Sequence, residues 1–367
     1  MPAERPPAVT GIAARANNFD ALRLFAALAV IFSHAFLIAE GSEASEPFVW
    51  LTGNQTILGL LGVFVFFTIS GYLVTESWCR EPVVWRFAAK RAARIYPGLL
   101  VNMLVCALVL GAVVSSLPVA DYLRSSGVTA FAGKVISLNP GPLHLPEVAF
   151  SGTSVQRLVN GSLWTLRYEA MMYGMVLLLG LTRLLRLSTS LILVVAGVIA
   201  VYFETLLTPF GDIGEWAWLV GFFATGMVLY FLRDVPGVFD KRLATLAAAA
   251  LVATTWAGGL IMLFPLTGSY LAIWFARRHD HWLDFGRHAG DLSYGLYIYG
   301  WPAAQLVMWL SGGQAPWYAI FFGSLALAGP AAWLSWHLVE KPALQLVRRR
   351  AGAVRGSERL AVGPVAP

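Results

Sequence analysis

The chain has 367 residues, of which 58% are hydrophobic and only 13% are charged, and its mean hydropathy is +0.67. A soluble globular protein carries roughly 25% charged residues, so this composition excludes a soluble fold. The two cysteines, Cys79 and Cys106, are too few for a disulfide framework.

Apolar runs of membrane-spanning length follow one another along the chain. They lie near residues 20–39, 56–77, 95–116, 162–182, 188–207, 214–232, 242–257, 259–276, 291–311 and 317–338. The sequence therefore predicts an all-α, polytopic integral membrane protein with about ten transmembrane helices. We expect a membrane domain at 19–345, a cytoplasmic N-terminal tail at 1–18 and a basic cytoplasmic C-terminal tail at 346–367.

The distribution of basic residues predicts the orientation of these helices. If the N-terminus is cytoplasmic, most of the 26 lysines and arginines fall in cytoplasmic segments. Outer segments then hold only Arg124, Lys134 and Arg157, all in the long segment 117–161. This bias follows the positive-inside rule and predicts that both termini are cytoplasmic. It also explains the net charge of +6 without a nucleic-acid partner.

The segment 117–161 is the one long loop between predicted helices. Its proline, glycine and serine content is compatible with an ordered or partly ordered cap on the outer face, or with a plain connector.

The first predicted helix contains two ionisable residues, Arg23 and His34. The eleven positions between them turn a helix by about 1100°, close to three full turns, and raise it by about 16 Å. Both side chains therefore project from one face, and Asp20 is one turn away as a counter-ion for Arg23. Ionisable groups within a membrane are costly and functional by default, although His34 also fits a structural, hydrogen-bonded role.

The fourth predicted helix carries Glu169 at a depth close to that of His34. A carboxylate beside an imidazole fixes its tautomer and raises its basicity, as a general base requires. The sequence therefore suggests that Glu169 orients His34. A pair with Arg167 or with the backbone, which only anchors the helix, is the other interpretation.

The start of the third predicted helix is strongly basic. Arg86, Lys90 and Arg94 are spaced by four residues and Arg91 joins them, so a helix here presents a compact cationic patch. Arginine suits phosphate oxygens, which favours a nucleotide-bearing cofactor. An anchor for anionic lipid explains the spacing equally well.

Histidines and aspartates also cluster in the cytoplasmic loop 277–291. They are His279, Asp280, His281, Asp284, His288 and Asp291. In so polar a loop such spacing arises by chance, and we expect no metal site.

Together these segments resemble the acyltransferase-3 family of membrane O-acyltransferases over 19–345. Arg23 and His34 match its arginine, ten residues, histidine motif. The remaining matches are Gly-Val-Phe-Val-Phe-Phe-Thr-Ile-Ser-Gly-Tyr at 62–72, Arg-Ala-Ala-Arg at 91–94, Ser-Leu-Trp at 162–164 with Glu169 and Tyr173, Ser-Tyr-Gly-Leu-Tyr at 293–297 and Glu-Lys-Pro at 340–342. Six motifs in the right order make the resemblance specific.

The resemblance implies transfer of an acyl group, acetyl by family habit, from cytosolic acyl-CoA to a hydroxyl at the outer face. The implied site residues fall into three groups. They are His34, Glu169 and Arg23 for catalysis; Arg91, Arg94, Arg86 and Lys90 for acyl-CoA; and Trp164, Tyr173 and Ser70 for substrate. His34 would act as a base or carry the acyl group itself.

The family's commonest acceptors are envelope or exported glycans and glycolipids, such as lipopolysaccharide. The implied location is the inner membrane, in contact with lipid. The hypothesis from another class is a proton-coupled transporter of a small anion or acyl carrier, with Arg23, His34 and Glu169 as a relay. No inverted repeat is visible, which favours the enzyme.

Overall fold

The structure is a computed structural model, and it describes residues 18–139, 141–150, 155–202, 213–278 and 290–350. All regular secondary structure within these ranges is helical, which confirms the predicted all-α class. The helices are α1 (Phe19–Glu40), α2 (Pro47–Leu51), α3 (Leu58–Arg80), α4 (Val84–Leu104), α5 (Val119–Arg124), α6 (Ser126–Ile136), α7 (Trp164–Leu181), α8 (Leu187–Tyr202), α9 (Ile213–Phe231), α10 (Lys241–Ala257), α11 (Leu260–Leu263), α12 (Gly268–Ala276), α13 (Ser293–Leu310) and α14 (Trp317–Ser335).

Among the described residues, four helices are long and apolar enough to cross a membrane. These are α1, α3, α4 with its continuation to Val114, and α14 with its continuation to Arg350. Two shorter apolar helices span Leu187–Ala200 and Trp216–Phe231. The chain therefore has the character of a membrane protein, whereas the total of ten spans and the orientation stay predictions. The run predicted at 259–276 forms two short helices, α11 and α12.

Helices α1 and α3 lie antiparallel and in close contact. A Cβ atom on Gly62 would lie only 2.7 Å from the carbonyl oxygen of Ala26, so glycine permits this approach. Further along, the backbone N–H of Gly59 donates to Ser33 Oγ at 2.7 Å. Helix α13 runs parallel to α1 on another side and places Trp301 against His34. These contacts fix the side of α1 that carries Arg23 and His34 inside the bundle.

Helix α4 begins at Val84, well before the apolar run predicted at 95–116. The patch from Arg86 to Arg94 is therefore helical, as the spacing predicts. The end of the bundle where α1 begins and this patch lies is called the basic end below. The helix passes through Pro97 and continues as a π-helical segment, Val105–Leu110, before it ends at Val114. Local π-helical turns are frequent near functional sites.

The predicted cap, 117–161, is ordered where it is described, but it folds back along α4. The Tyr122 hydroxyl in α5 donates to the Ala107 carbonyl at 2.7 Å. After α6, Asn160 Nδ2 donates to Asn102 Oδ1 at 3.1 Å, well inside the continuous helix from Val84 to Val114 that α4 begins. Backbone outside a helix is tolerated inside a membrane protein when neighbouring side chains satisfy its polar groups. The chain therefore enters α7 from within the bundle.

The last helix is longer than the sequence predicts. From Trp317 it runs without interruption to Arg350, through a π-helical segment at Trp336–Glu340. The proposed boundary between the membrane domain and the C-terminal tail, at 345 and 346, falls inside this helix.

Candidate active site

A cavity of about 650 Å³ opens at the basic end of the bundle. This volume is within the range of small-molecule and cofactor sites. Residues from α1, α3, α4, α7, α13 and the continuation of α14 line it. Among the predicted site residues, the cavity brings together Arg23, Ser70, Lys90, Arg91, Arg94, Glu169 and Tyr173.

Two arginines and two aspartates form an ion-pair network in the cavity wall. Arg94 Nη2 lies 2.7 Å from Asp291 Oδ2, and Arg23 Nη1 lies 3.4 Å from the same oxygen. Arg23 also pairs with Asp20 at 3.2 Å, which confirms the predicted counter-ion. Ser293 Oγ donates to the other Asp291 oxygen at 2.5 Å. The network fixes the arginines of two helices against the segment that leads into α13.

Arg91 differs from its neighbours because, among the described residues, it forms no ion pair. Its guanidinium lies over the rings of Tyr173 at 5.4 Å and Phe87 at 5.8 Å, and its buried Nε has no hydrogen-bond partner. Aromatic contact holds the planar guanidinium group in place without neutralising its charge. Arg91 is therefore well placed to bind an anion.

The other two predicted cofactor ligands share one acidic partner. Lys90 Nζ lies 2.6 Å from Glu81 Oε2, and Arg86 Nη1 lies 2.7 Å from Glu81 Oε1. Lys90 lines the cavity, but Arg86 does not, and it is only 4% exposed. The sequence spacing cannot distinguish these two positions. The structure separates them, because Arg86 points into the protein.

The Glu169 carboxylate is held inside the cavity by α3 and by its own helix. The Tyr173 hydroxyl donates to Oε1, and Ser70 Oγ donates to the same oxygen at 3.4 Å. Neither partner proposed from the sequence, His34 or Arg167, contacts this carboxylate. The third predicted substrate residue, Trp164, lies outside the cavity lining and packs against Tyr168.

His34 lies further along α1 than the residues that line the cavity. Its ring makes an edge contact with Trp301, with centroids 4.7 Å apart. Its Nδ1 atom is buried and has no hydrogen-bond partner among the residues that the structure describes. The predicted pair with Glu169 is therefore not formed. The expected separation of about 16 Å along α1 places the imidazole beyond the inner end of the cavity.

Several residues of the cavity were not predicted from the sequence. The sequence places Asp291 in a polar loop and Arg348 in the C-terminal tail, yet both line the cavity. Tyr294 lies under the Arg94 guanidinium at 5.6 Å. The apolar run of α14 ends well before the helix itself does. The sequence pattern therefore does not show that Arg348 reaches the site, whereas the length of the helix does.

The described part of the chain contains no cluster of three histidine, cysteine, aspartate or glutamate side chains that could hold a metal ion. His279, Asp280, His281, Asp284 and His288 lie outside the described residues. Asp291, the last member of that group, is engaged by the two arginines.

An apolar helical bundle is typical of a membrane protein, and the arginines and lysine of its cavity favour an anionic ligand. A family model described as an acyltransferase domain matches residues 17–336. The chain therefore belongs to the acyltransferase-3 family, and it is a membrane O-acyltransferase. This confirms the resemblance given by the motifs.

Two relatives match along nearly their whole length. Nodulation protein 10 of Rhizobium leguminosarum bv. viciae is 30% identical over 360 residues, which cover 90% of this chain and 94% of that protein. An O-acetyl transferase of Shigella phage Sf6 is 28% identical over 346 residues, which cover 89% of this chain and 96% of that protein. No solved structure matches significantly.

Proposed function

We propose that this acyltransferase moves an acetyl group from cytosolic acetyl-CoA to a hydroxyl of an envelope or exported glycan at the outer face. The observation that carries the proposal is the excess of cations in the cavity. Three acids, Asp20, Glu169 and Asp291, line it. The basic residues that line it are Arg23, Arg80, Lys90, Arg91, Arg94 and Arg348. Such an excess favours a ligand with several phosphates.

The phosphates of acyl-CoA would bind at the mouth of the cavity. Arg91 supplies a charged fork with no carboxylate partner, and Lys90 and Arg348 extend the positive surface. Arg94 and Arg23 are partly neutralised by Asp291, and they fit the less charged part of the donor. We assign Arg86 a structural role, because it is buried against Glu81.

The pantetheine arm would then extend along α1 towards His34. An extended arm of about 15–20 Å matches the rise of about 16 Å from Arg23 to His34. The cavity already reaches Thr165 and Tyr297, which lie on the way. The thioester therefore comes within reach of the imidazole while the phosphates stay at the basic end.

His34 is the proposed catalytic base. Its buried Nδ1 atom has no hydrogen-bond partner in the described part of the chain, so a substrate hydroxyl is free to use it. An acyl-histidine intermediate uses the same nitrogen as a nucleophile. Glu169 and Arg23 remain proposed site residues, but they act at the donor end of the route. Tyr173 and Ser70 contact Glu169 there, and Asp291 pairs with Arg23.

The proposed setting is the inner membrane, with about ten spans and both termini in the cytoplasm. The positive-inside bias supports this orientation, because it places the basic end towards cytosolic acyl-CoA. The acetyl group is supported by the name of the phage relative, an O-acetyl transferase.

The proposal is tested with inverted membrane vesicles that contain the protein and an acetyl-CoA whose acetyl group is labelled. We expect release of CoA, together with label in the glycan or glycolipid fraction. The Arg91→Ala variant should release much less CoA at low donor concentration. The absence of CoA release and of label in every fraction, from folded protein, would refute the donor assignment.

A further inference from the structure

Of the buried polar atoms outside the cavity that have no hydrogen-bond partner among the described residues, three belong to residues packed around Trp301. They are His34 Nδ1, Ser162 Oγ and Gln305 Oε1. Ser162 is 1% exposed and Gln305 is fully buried. Buried polar atoms without a partner cost about 1–3 kcal/mol each, so native proteins satisfy them with protein, water or ligand. Three such atoms around one side chain favour a polar ligand at this place.

All three residues are connected through Trp301. The His34 ring lies against the indole, with centroids 4.7 Å apart. A Cβ atom on Gly161, the neighbour of Ser162, would lie 2.7 Å from the same ring. The indole Nε1 and Gln305 Nε2 both donate to the Leu158 carbonyl, at 2.9 and 3.0 Å. The three unpartnered atoms are called the Trp301 cluster below.

The hydrogen bonds around the cluster define what it offers to a ligand. Gln305 Nε2 donates to two carbonyls, Val155 at 2.8 Å and Leu158 at 3.0 Å. Both amide hydrogens are then used, and Oε1 is left as a pure acceptor. The Ser162 hydroxyl both donates and accepts. The cluster therefore combines an acceptor, a hydroxyl and an imidazole nitrogen.

The backbone of Ser162 is rigidly held. Its N–H donates to Asn160 Oδ1 at 3.0 Å, and Asn160 Nδ2 donates to the Ile298 carbonyl at 2.8 Å. Asn102 Nδ2 donates to the same carbonyl at 3.0 Å. Such support is what a preorganised functional group requires.

The cluster also lies beside the inner end of the cavity. Thr165, three residues after Ser162 and in the first turn of α7, lines the cavity, and its Oγ1 atom is 2.7 Å from the Tyr297 hydroxyl. Tyr297 precedes Trp301 by one turn of α13. Ser162 therefore lies between the cavity and the level of His34, where the donor and the acceptor have to meet.

We propose that the Trp301 cluster is the acceptor site, and that Ser162 is a catalytic residue. The inference rests on the proposed function. The acceptor oxygen forms a bond to the thioester carbonyl carbon while His34 takes its proton. Ser162 Oγ–H donates to the carbonyl oxygen as it becomes negative. The C–S bond then breaks, and the CoA thiolate leaves and receives the proton from His34.

Gln305 defines the class of acceptor. Its Oε1 accepts a hydrogen bond from a second hydroxyl of the same molecule, beside the one that reacts. The site therefore takes a polyol, such as a sugar ring, in preference to a simple alcohol. Sites built to bind a hydroxyl reject analogues that lack it, since the protein group is otherwise left unpaired.

The first experiment measures CoA release by the Ser162→Ala variant in inverted vesicles. We expect kcat to fall by about 10²–10³-fold with KM for acetyl-CoA unchanged. Thermal stability should be unchanged, since the hydroxyl has no protein partner. The matched control is Ser324→Ala, because Ser324 is buried but donates to its own helix at Phe321. A Ser162→Ala variant with kcat within threefold of wild type would overturn the proposal.

The second experiment does not depend on the donor. Ser162→Cys is made in a protein with Cys79→Ser and Cys106→Ala, and a small methanethiosulfonate reagent is added. We expect labelling, slowed by methyl glucoside and not by propan-1-ol, whereas Ser324→Cys stays unlabelled. Failure of acetyl-CoA turnover with this labelling pattern would reject the donor alone. An unreactive Ser162→Cys, or one that methyl glucoside does not protect, would reject the acceptor site.

Discussion

The Nη2 atom of Arg94 lies 2.7 Å from Oδ2 of Asp291, and this pair joins α4 to the segment just before α13 at the cavity. Only 11% of the Asp291 side chain and 20% of the Arg94 side chain are exposed. Arg23 shares the same aspartate oxygen. The basic end is therefore organised by a carboxylate that offsets two of its arginines.

Loss of this carboxylate should destabilise the protein. Removal of one partner from a buried ion pair costs about 3–5 kcal/mol of folding free energy. We expect the loss for Asp291→Asn to lie near the lower limit of this range, because the Arg94 side chain stays partly exposed to solvent. Thermal unfolding in detergent measures the effect. Asp234→Asn is the control, since Asp234 pairs with Arg233 but is 77% exposed. Equal unfolding temperatures for the two variants would contradict the organising role of Asp291.

Arg91 should contribute to donor binding without a role in stability. It has no ion pair among the described residues, so Arg91→Ala leaves no carboxylate unpaired. We expect acyl-CoA affinity to fall by about 1–3 kcal/mol, and Arg91→Lys to restore it only in part because the fork is lost. Calorimetry with a non-hydrolysable acyl-CoA measures both. The control is Arg124→Ala in α5. Unchanged affinity for Arg91→Ala would remove this residue from the donor site.

The effects of Glu169→Gln and His34→Ala should combine additively in free energy wherever activity stays measurable. The sequence suggests that Glu169 works through His34, which predicts a double variant little worse than His34→Ala alone. In the structure Glu169 contacts Tyr173 and Ser70 instead. The free-energy effects of substitutions at separate sites add, whereas the effects of substitutions in groups that act as a unit do not. CoA release by the single and double variants decides between them, and a non-additive result would restore the pair.

The orientation is tested by thiol labelling in a Cys79→Ser background, since Cys79 is exposed. Glu43→Cys should react with an impermeant reagent added outside intact cells, and Val235→Cys should react only after lysis. Labelling of Val235→Cys in intact cells would place the basic end on the wrong side for cytosolic acyl-CoA.

Much of the bundle is predictable from sequence because membrane-length apolar runs require helices. The four-residue spacing from Arg86 to Arg94 likewise indicates the cationic helix that is found at α4. Inter-helix partners are not contained in such patterns. Nothing in the spacing of Arg86 and Lys90 shows that only Lys90 faces a cavity, because that depends on the rotation of α4.

The depth of Glu169 illustrates a different limit. The sequence predicts its level from the start of the apolar run at 162, which is expected at the membrane surface. Asn160 instead contacts Asn102, well inside the continuous helix from Val84 to Val114, so α7 begins inside the bundle. Each further residue of helix adds about 1.5 Å, which takes Glu169 to the level of the cavity and away from His34.

The most direct test of the account is the turnover of His34→Gln with acyl-CoA affinity measured on the same preparation. A positioned base contributes about 10²–10⁴-fold, so we expect transfer to fall by at least this lower limit. Acyl-CoA affinity should stay at the wild-type value, because His34 lies outside the cavity. A folded His34→Gln protein that keeps more than about a tenth of wild-type turnover would contradict both the base and the acyl-histidine mechanisms.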